Sequence, residues 1–156
     1  VGQACSTLVS KHMGEDRIDK AESSIKESIR LSEYIMGTMG MIFILFPEYI
    51  LPIFTNDPEV IKIGVLILRL VGAIQFIDAI GFTLWFALSG AGDTFYPAVV
   101  ESVLVWFFLI PFSYLTGIYF NAGYLGPWLV LSAHIFLFAV IMVWKVAQGD
   151  WKHIKV

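Results

Sequence analysis

Asp78 interrupts an apolar run at positions 60–88. A charged carboxylate at the centre of a bilayer costs about 2.5 kcal/mol or more on insertion scales. Such a residue faces a cavity or a partner. It can cycle between protonated and ionised states, or coordinate Na⁺ when ionised. Either reaction ties the site to an ion gradient. The competing reading is a structural, hydrogen-bonding carboxyl. If the run is a helix, Gln75, Phe82, Trp85 and Ser89 lie three or four residues apart along one stripe with Asp78. A carboxylate, an amide and two aromatic rings suit an organic cation, through ion pairing and cation–π contact. Packing, or facing lipid, is the competing role for Phe82 and Trp85. Arg69 is about half a turn round and roughly 13 Å from Asp78 at the standard helical rise. It is expected to pair with another helix or to snorkel.

Other ionisable residues lie in apolar surroundings. His134 is central to a run at 125–144 and reads as a neutral interhelical histidine or as part of a proton relay. Glu101 is about one turn into a run at 96–114 and is expected to be wetted or to join that relay. Glu48 is expected to reach water. There is no Ser-His-Asp spacing, no paired metal-binding histidines and no glycine-rich phosphate loop after a strand. Neither an enzyme nor a metal or cofactor site is expected. The single cysteine, Cys5, excludes a disulfide framework and is expected to be a buried thiol.

The elements that must hold these residues are set by composition. Hydrophobic residues make up 58% of the 156, and charged residues only 15%. Of the 23 Asp, Glu, Lys and Arg residues, 11 lie in 11–33, 4 in 145–156, and 8 in the 111 residues between. A soluble fold cannot hide that much apolar surface, and a net charge of −3 provides no basic field for nucleic acid. About 20 mostly apolar residues cross a bilayer as a helix. The stretches 34–54, 60–88, 96–114 and 125–144 meet that length. The fold class is therefore an all-α, polytopic transmembrane bundle with four full spans, and 1–9 is expected to be the tail of a fifth helix.

The span ends have local causes. Asp57 can cap free N–H groups, and Pro58 suits a first helical position. Ser89-Gly90-Ala91-Gly92-Asp93-Thr94 ends one helix on glycine and starts another on a capping side chain. Asn121, Gly123, Gly126 and Pro127 separate the third and fourth spans. Pro111 is expected to kink the third. Tyr119, Tyr124, Trp128, Trp144 and Trp151 suit the headgroup level. Residues 10–33 are expected to form a cytoplasmic loop and surface helix, supported by Asp16–Lys20 and Glu22–Lys26 pairs. Lys11, Arg17, Lys20, Lys26 and Arg30 lie before the first span, and Lys145, Lys152 and Lys155 after the last. Four crossings with both basic ends on one side place both ends in the cytoplasm, in the cell (plasma or inner) membrane.

Several segments resemble the multidrug and toxic compound extrusion (MATE) transporters. Thr7-Leu8-Val9, Met13-Gly14 and Ala21-Glu22 are similar to the cytoplasmic loop after that family's eighth helix. Leu45-Phe46-Pro47-Glu48 through Phe54-Thr55-Asn56-Asp57-Pro58-Glu59-Val60 resembles its ninth-to-tenth helix turn. Ser89-Gly90-Ala91-Gly92-Asp93-Thr94 with Pro97 resembles its tenth-to-eleventh loop. Leu109-Ile110-Pro111 with Tyr114-Leu115, and Gly126-Pro127-Trp128 with the basic end from Trp151, resemble its last two helices. The resemblance implies the end of helix eight through helix twelve of a twelve-helix, two-lobed protein, with the preceding helices as partners. It also implies an acid 15 positions before the loop aspartate, which falls on Asp78. Ile74 stands where some members have tyrosine, Ser89 where an arginine is usual, and Lys11 where glutamine is frequent.

The expected function is part of a secondary active transporter that exports drugs or organic cations in exchange for H⁺ or Na⁺. Asp78 is the expected ion-coupling residue. Gln75, Asp78, Phe82 and Trp85 are the expected substrate-binding residues. A lipid-linked sugar flippase of the same superfamily, a four-helix membrane scaffold or accessory subunit, and a membrane-embedded enzyme built on Asp78, Glu101 and His134 are the alternatives.

Overall fold

The computed structural model describes residues 1–120 and 123–154. Asn121, part of the expected turn, and Lys155, part of the basic tail, lie outside them. All the elements described are helical: α1 (Gly2–Gly14), α2 (Ile18–Leu45), α3 (Pro47–Ile50), α4 (Pro58–Gly90), α5 (Phe95–Val103), α6 (Ile110–Tyr114) and α7 (Leu125–Gln148). Short 3₁₀ turns at Leu51–Ile53 and Asp150–His153 complete them. Four segments are long and apolar enough to cross a membrane: Ile18–Leu45, Pro58–Gly90, Phe95–Tyr119 and Leu125–Gln148.

The first crossing differs from the expected division at residue 34. Residues 18 to 45 form one uninterrupted helix, so the charged stretch and the apolar stretch share an axis. The helix-supporting pairs extend it backwards, and no proline breaks it. Pro47 ends it, because the residue before a proline is pushed out of helical conformation. Phe46 accordingly has φ −124° and ψ 33°. Residues 47–53 follow as a separate short helical segment.

α4 starts as its sequence dictates. Asp57 Oδ1 accepts from Glu59 N–H at 2.9 Å and from Val60 N–H at 3.4 Å, with Pro58 behind them. It ends at the Gly-Ala-Gly turn, where Gly92 takes φ 94° and Asp93 Oδ1 accepts from Tyr96 N–H at the start of α5. In the third crossing the ladder shifts to π-helical bonding at Leu104–Leu109 and Leu115–Tyr119, on either side of α6. Pro111 brings no N–H to that ladder, and its neighbours bond five residues back instead.

α4 is the central element. It packs against α1, α2 and α7. Small residues permit the close approach. A Cβ on Gly72 would lie 2.6 Å from the Gly40 carbonyl oxygen, and one on Gly40 equally close to that of Gly72. Gly90 lies against the Ser6 backbone of α1. Between α2 and α4, the buried Thr83 hydroxyl donates to the Ala79 carbonyl at 2.7 Å and accepts from Ser32 at 2.8 Å. The C-terminal turn folds back on the bundle. Trp151 is 2% exposed, its indole N–H donates to the Val146 carbonyl, and Lys152 pairs with Glu22 of α2. Trp106, Phe107 and Tyr119 of the third crossing are instead largely exposed, as lipid-facing side chains are.

Candidate functional site

α4 presents Asp78 on the side between α1 and α7. At about 100° per residue, Gln75, Asp78, Phe82 and Trp85 fall on one flank of the helix. Gly72 and Thr83 on another flank meet α2, while Gly81 meets Ala139 of α7. Asp78 is half-buried. α7 supplies the facing histidine. Gly126, Val130, His134 and Phe138 recur every four residues and are all buried. That spacing turns His134 inward, on the helix that meets α4 at Gly81.

α5 supplies the third group. Pro97 is buried one turn before Glu101, so that face of α5 also turns inward. His134 Nε2 lies 3.6 Å from Glu101 Oε2, with the side chains 7% and 29% exposed. The distance is just beyond a hydrogen bond, and neither ring nitrogen of His134 has a hydrogen-bond partner among the described residues. Glu101 of α5 and His134 of α7 thus lie side by side, while Asp78 of α4 stands on a neighbouring helix. Among the described residues, no group of three or more His, Cys, Asp or Glu side chains is placed to hold a metal ion.

The other stripe residues divide. Trp85 packs its ring 5.6 Å from that of the buried Phe138. It is half-buried and stiffens the wall. Phe82 is 47% exposed and meets Phe86 and Trp85 edge-on. Its outer face is exposed. The stem of Gln75 rests where α2 passes closest, against Gly40. Arg69 stays away from Asp78 and lies 3.4 Å from Glu48 of α3, both groups being well exposed.

Glu33 has no role in the sequence reading, which leaves it on a surface stretch. In the structure one of its carboxylate oxygens is buried without a hydrogen-bond partner among the described residues. Its place beside the buried Ala21, Ile25, Ser28 and Ser32 face of α2 was the available signal.

Comparison with known proteins follows the same lines. The model of the family described as MatE matches residues 1–115. The chain belongs to the MatE family. Over 97% of this MatE chain, it is 31% identical to a probable multidrug resistance protein NorM of Thermotoga maritima, covering 33% of that protein. It is 26% identical over 99% of its length to an uncharacterised transporter of Saccharomyces cerevisiae, covering 22% of it. It is 25% identical over 92% of its length to a probable NorM of Neisseria meningitidis, covering 31%. The chain therefore spans about a third, or less, of the length of these relatives. MatE membership agrees with the resemblance seen in the sequence and with the membrane-spanning bundle.

Proposed function

We propose that this chain is part of a secondary active transporter that exports organic cations or drugs in exchange for H⁺ or Na⁺. Its place is the cell membrane, with both described ends on the cytoplasmic side. The observation that supports this reading is a half-buried carboxylate, Asp78, within the longest apolar helix, with His134 and Glu101 side by side on the two crossings that follow. A carboxylate held at that depth takes up a coupling ion or pairs with a cationic substrate, and one occupant displaces the other. That exclusivity is the physical basis of exchange. The Gln75 amide and the open face of Phe82 flank the carboxylate, while Trp85 holds the wall in shape.

For proton coupling, His134 is the relay. A ring nitrogen takes the proton from the Asp78 carboxyl and passes it to the Glu101 carboxylate, which reaches water. His134 Nε2 lies 3.6 Å from Glu101 Oε2, and the relay requires that the ring also approach Asp78 during the cycle. Rocking of this part of the protein against the remainder would alternate the side from which Asp78 is reached. The names of the NorM relatives support a multidrug substrate class. The test is Asp78→Asn in the full-length protein, with efflux of a fluorescent organic cation from energised cells as the readout. Export should fall to the background of vector-only cells. Unchanged export would remove Asp78 from the coupling role.

A further inference from the structure

The side of α4 turned away from Asp78 carries Ile77, Ile80 and Leu84 at helical spacing. α2 and α7 flank that side and leave a groove above it. One stretch of the groove, about 340 Å³, runs between Ile25 and Ile29 of α2 and Val146 of α7, and ends at Glu22, Lys26 and Lys152. A second stretch, about 470 Å³, continues past Ile77, Val140 and Trp144. Both are lined by Ile80, Val143 and Ala147, so the groove is continuous along the helices.

The two ends differ in chemistry. Lys152 pairs with Glu22, and Lys26 also acts on Glu22 electrostatically. That end therefore carries two cations against one carboxylate. It lies where the charged start of α2 meets the C-terminal turn, at the level where a membrane-crossing bundle meets headgroups. The other end is apolar, and Val140 and Trp144 are 49% and 59% exposed. A net single positive charge above an apolar trough complements one phosphodiester anion with a hydrocarbon tail. A zwitterionic headgroup gains less there, and a soluble anion has no use for the trough. We infer that an anionic phospholipid seats in this groove, its phosphate between Lys26 and Lys152 and one acyl chain along Ile80 and Val143. The site is separate from the Asp78 face and does not depend on the transport reading.

The experiment titrates the full-length protein in detergent with phosphatidylglycerol or phosphatidylcholine of matched chains, and counts bound lipid by native mass spectrometry. Phosphatidylglycerol should be retained at roughly tenfold lower lipid concentration than phosphatidylcholine. Lys26→Gln, a change at an exposed side chain, should erase most of that preference. Ala147→Trp and Val143→Phe, which narrow the trough at two independent points, should each lower retention of both lipids. Inorganic phosphate should not displace the lipid from the wild-type protein. Equal retention of the two lipids, or counts unchanged in the folded variants, would overturn the assignment. So would displacement by phosphate, or a lipid-free dimer that shows a second copy covering the groove.

Discussion

At the scale of single residues, the ionisable side chains divide by what surrounds them. Arg69 and Glu48 pair in the open, where such a bridge contributes at most about 1 kcal/mol. Glu101 and His134 are different, because His134 is enclosed and has no alternative partner among the described residues. If they relay protons for Asp78, Glu101→Gln should slow proton-coupled export by about tenfold or more, the lower range of acid–base contributions. Affinity for a cationic ligand at Asp78 should change little. Transport rate in proteoliposomes, measured beside ligand binding by fluorescence, separates the two. A fall in affinity with no fall in rate would assign Glu101 to the binding wall instead. The Asp78 stripe was legible in the sequence, since helical spacing alone generates it. Glu101 and His134 were named as candidates for one relay, but their contact was not derivable from spacing, since they lie 33 positions apart and meet only when α5 and α7 pack.

At the scale of elements, small residues decide how closely the helices lie. The α2–α4 crossing brings Gly40 and Gly72 backbones so near that any added side chain must separate the helices. Gly72→Leu should therefore destabilise the bundle by about 1–3 kcal/mol, the usual range for overpacking. Gly14→Ala, where a Cβ meets nothing within 4 Å, is the matched control. Melting followed by fluorescence-detected size exclusion should show a lower transition for the first variant only. The sequence divides this stretch at residue 34 into a surface helix and a span, and one helix runs through both. Charge at 15–33 marks a surface stretch, but charge does not end a helix, and only Pro47 does. Likewise, the kink expected at Pro111 takes the form of π-helical stretches on both sides of it, distributed over several turns.

At the scale of the whole molecule, the bundle is held at one end by its own C-terminal turn. Trp151 is buried among residues of the hydrophobic core, which includes Cys5 and Val9 of α1, Leu88 of α4 and Met142 of α7. Lys145 pairs with Asp150 and lies over the Tyr96 ring of α5. Trp151→Ala should thus cost about 3–5 kcal/mol, as truncation of a buried aromatic does. Trp144→Ala, at a side chain 59% exposed, should leave the melting temperature nearly unchanged. Equal shifts for the two variants would mean that the turn does not hold the bundle together.

Sequence by itself determined the helical class, the four crossings, the Asp57 cap, the Gly-Ala-Gly turn and the face that Asp78 shares with Gln75 and Phe82. These follow from composition and from a 3.6-residue period, both local quantities. Only the tertiary structure decided which groups meet across helices: Glu101 with His134, Arg69 with Glu48, Lys152 with Glu22, and Trp85 with Phe138. Those pairings depend on the rotation and depth at which one helix packs on another. That choice is made by close contacts such as Gly40 on Gly72, and no spacing within a single segment encodes it.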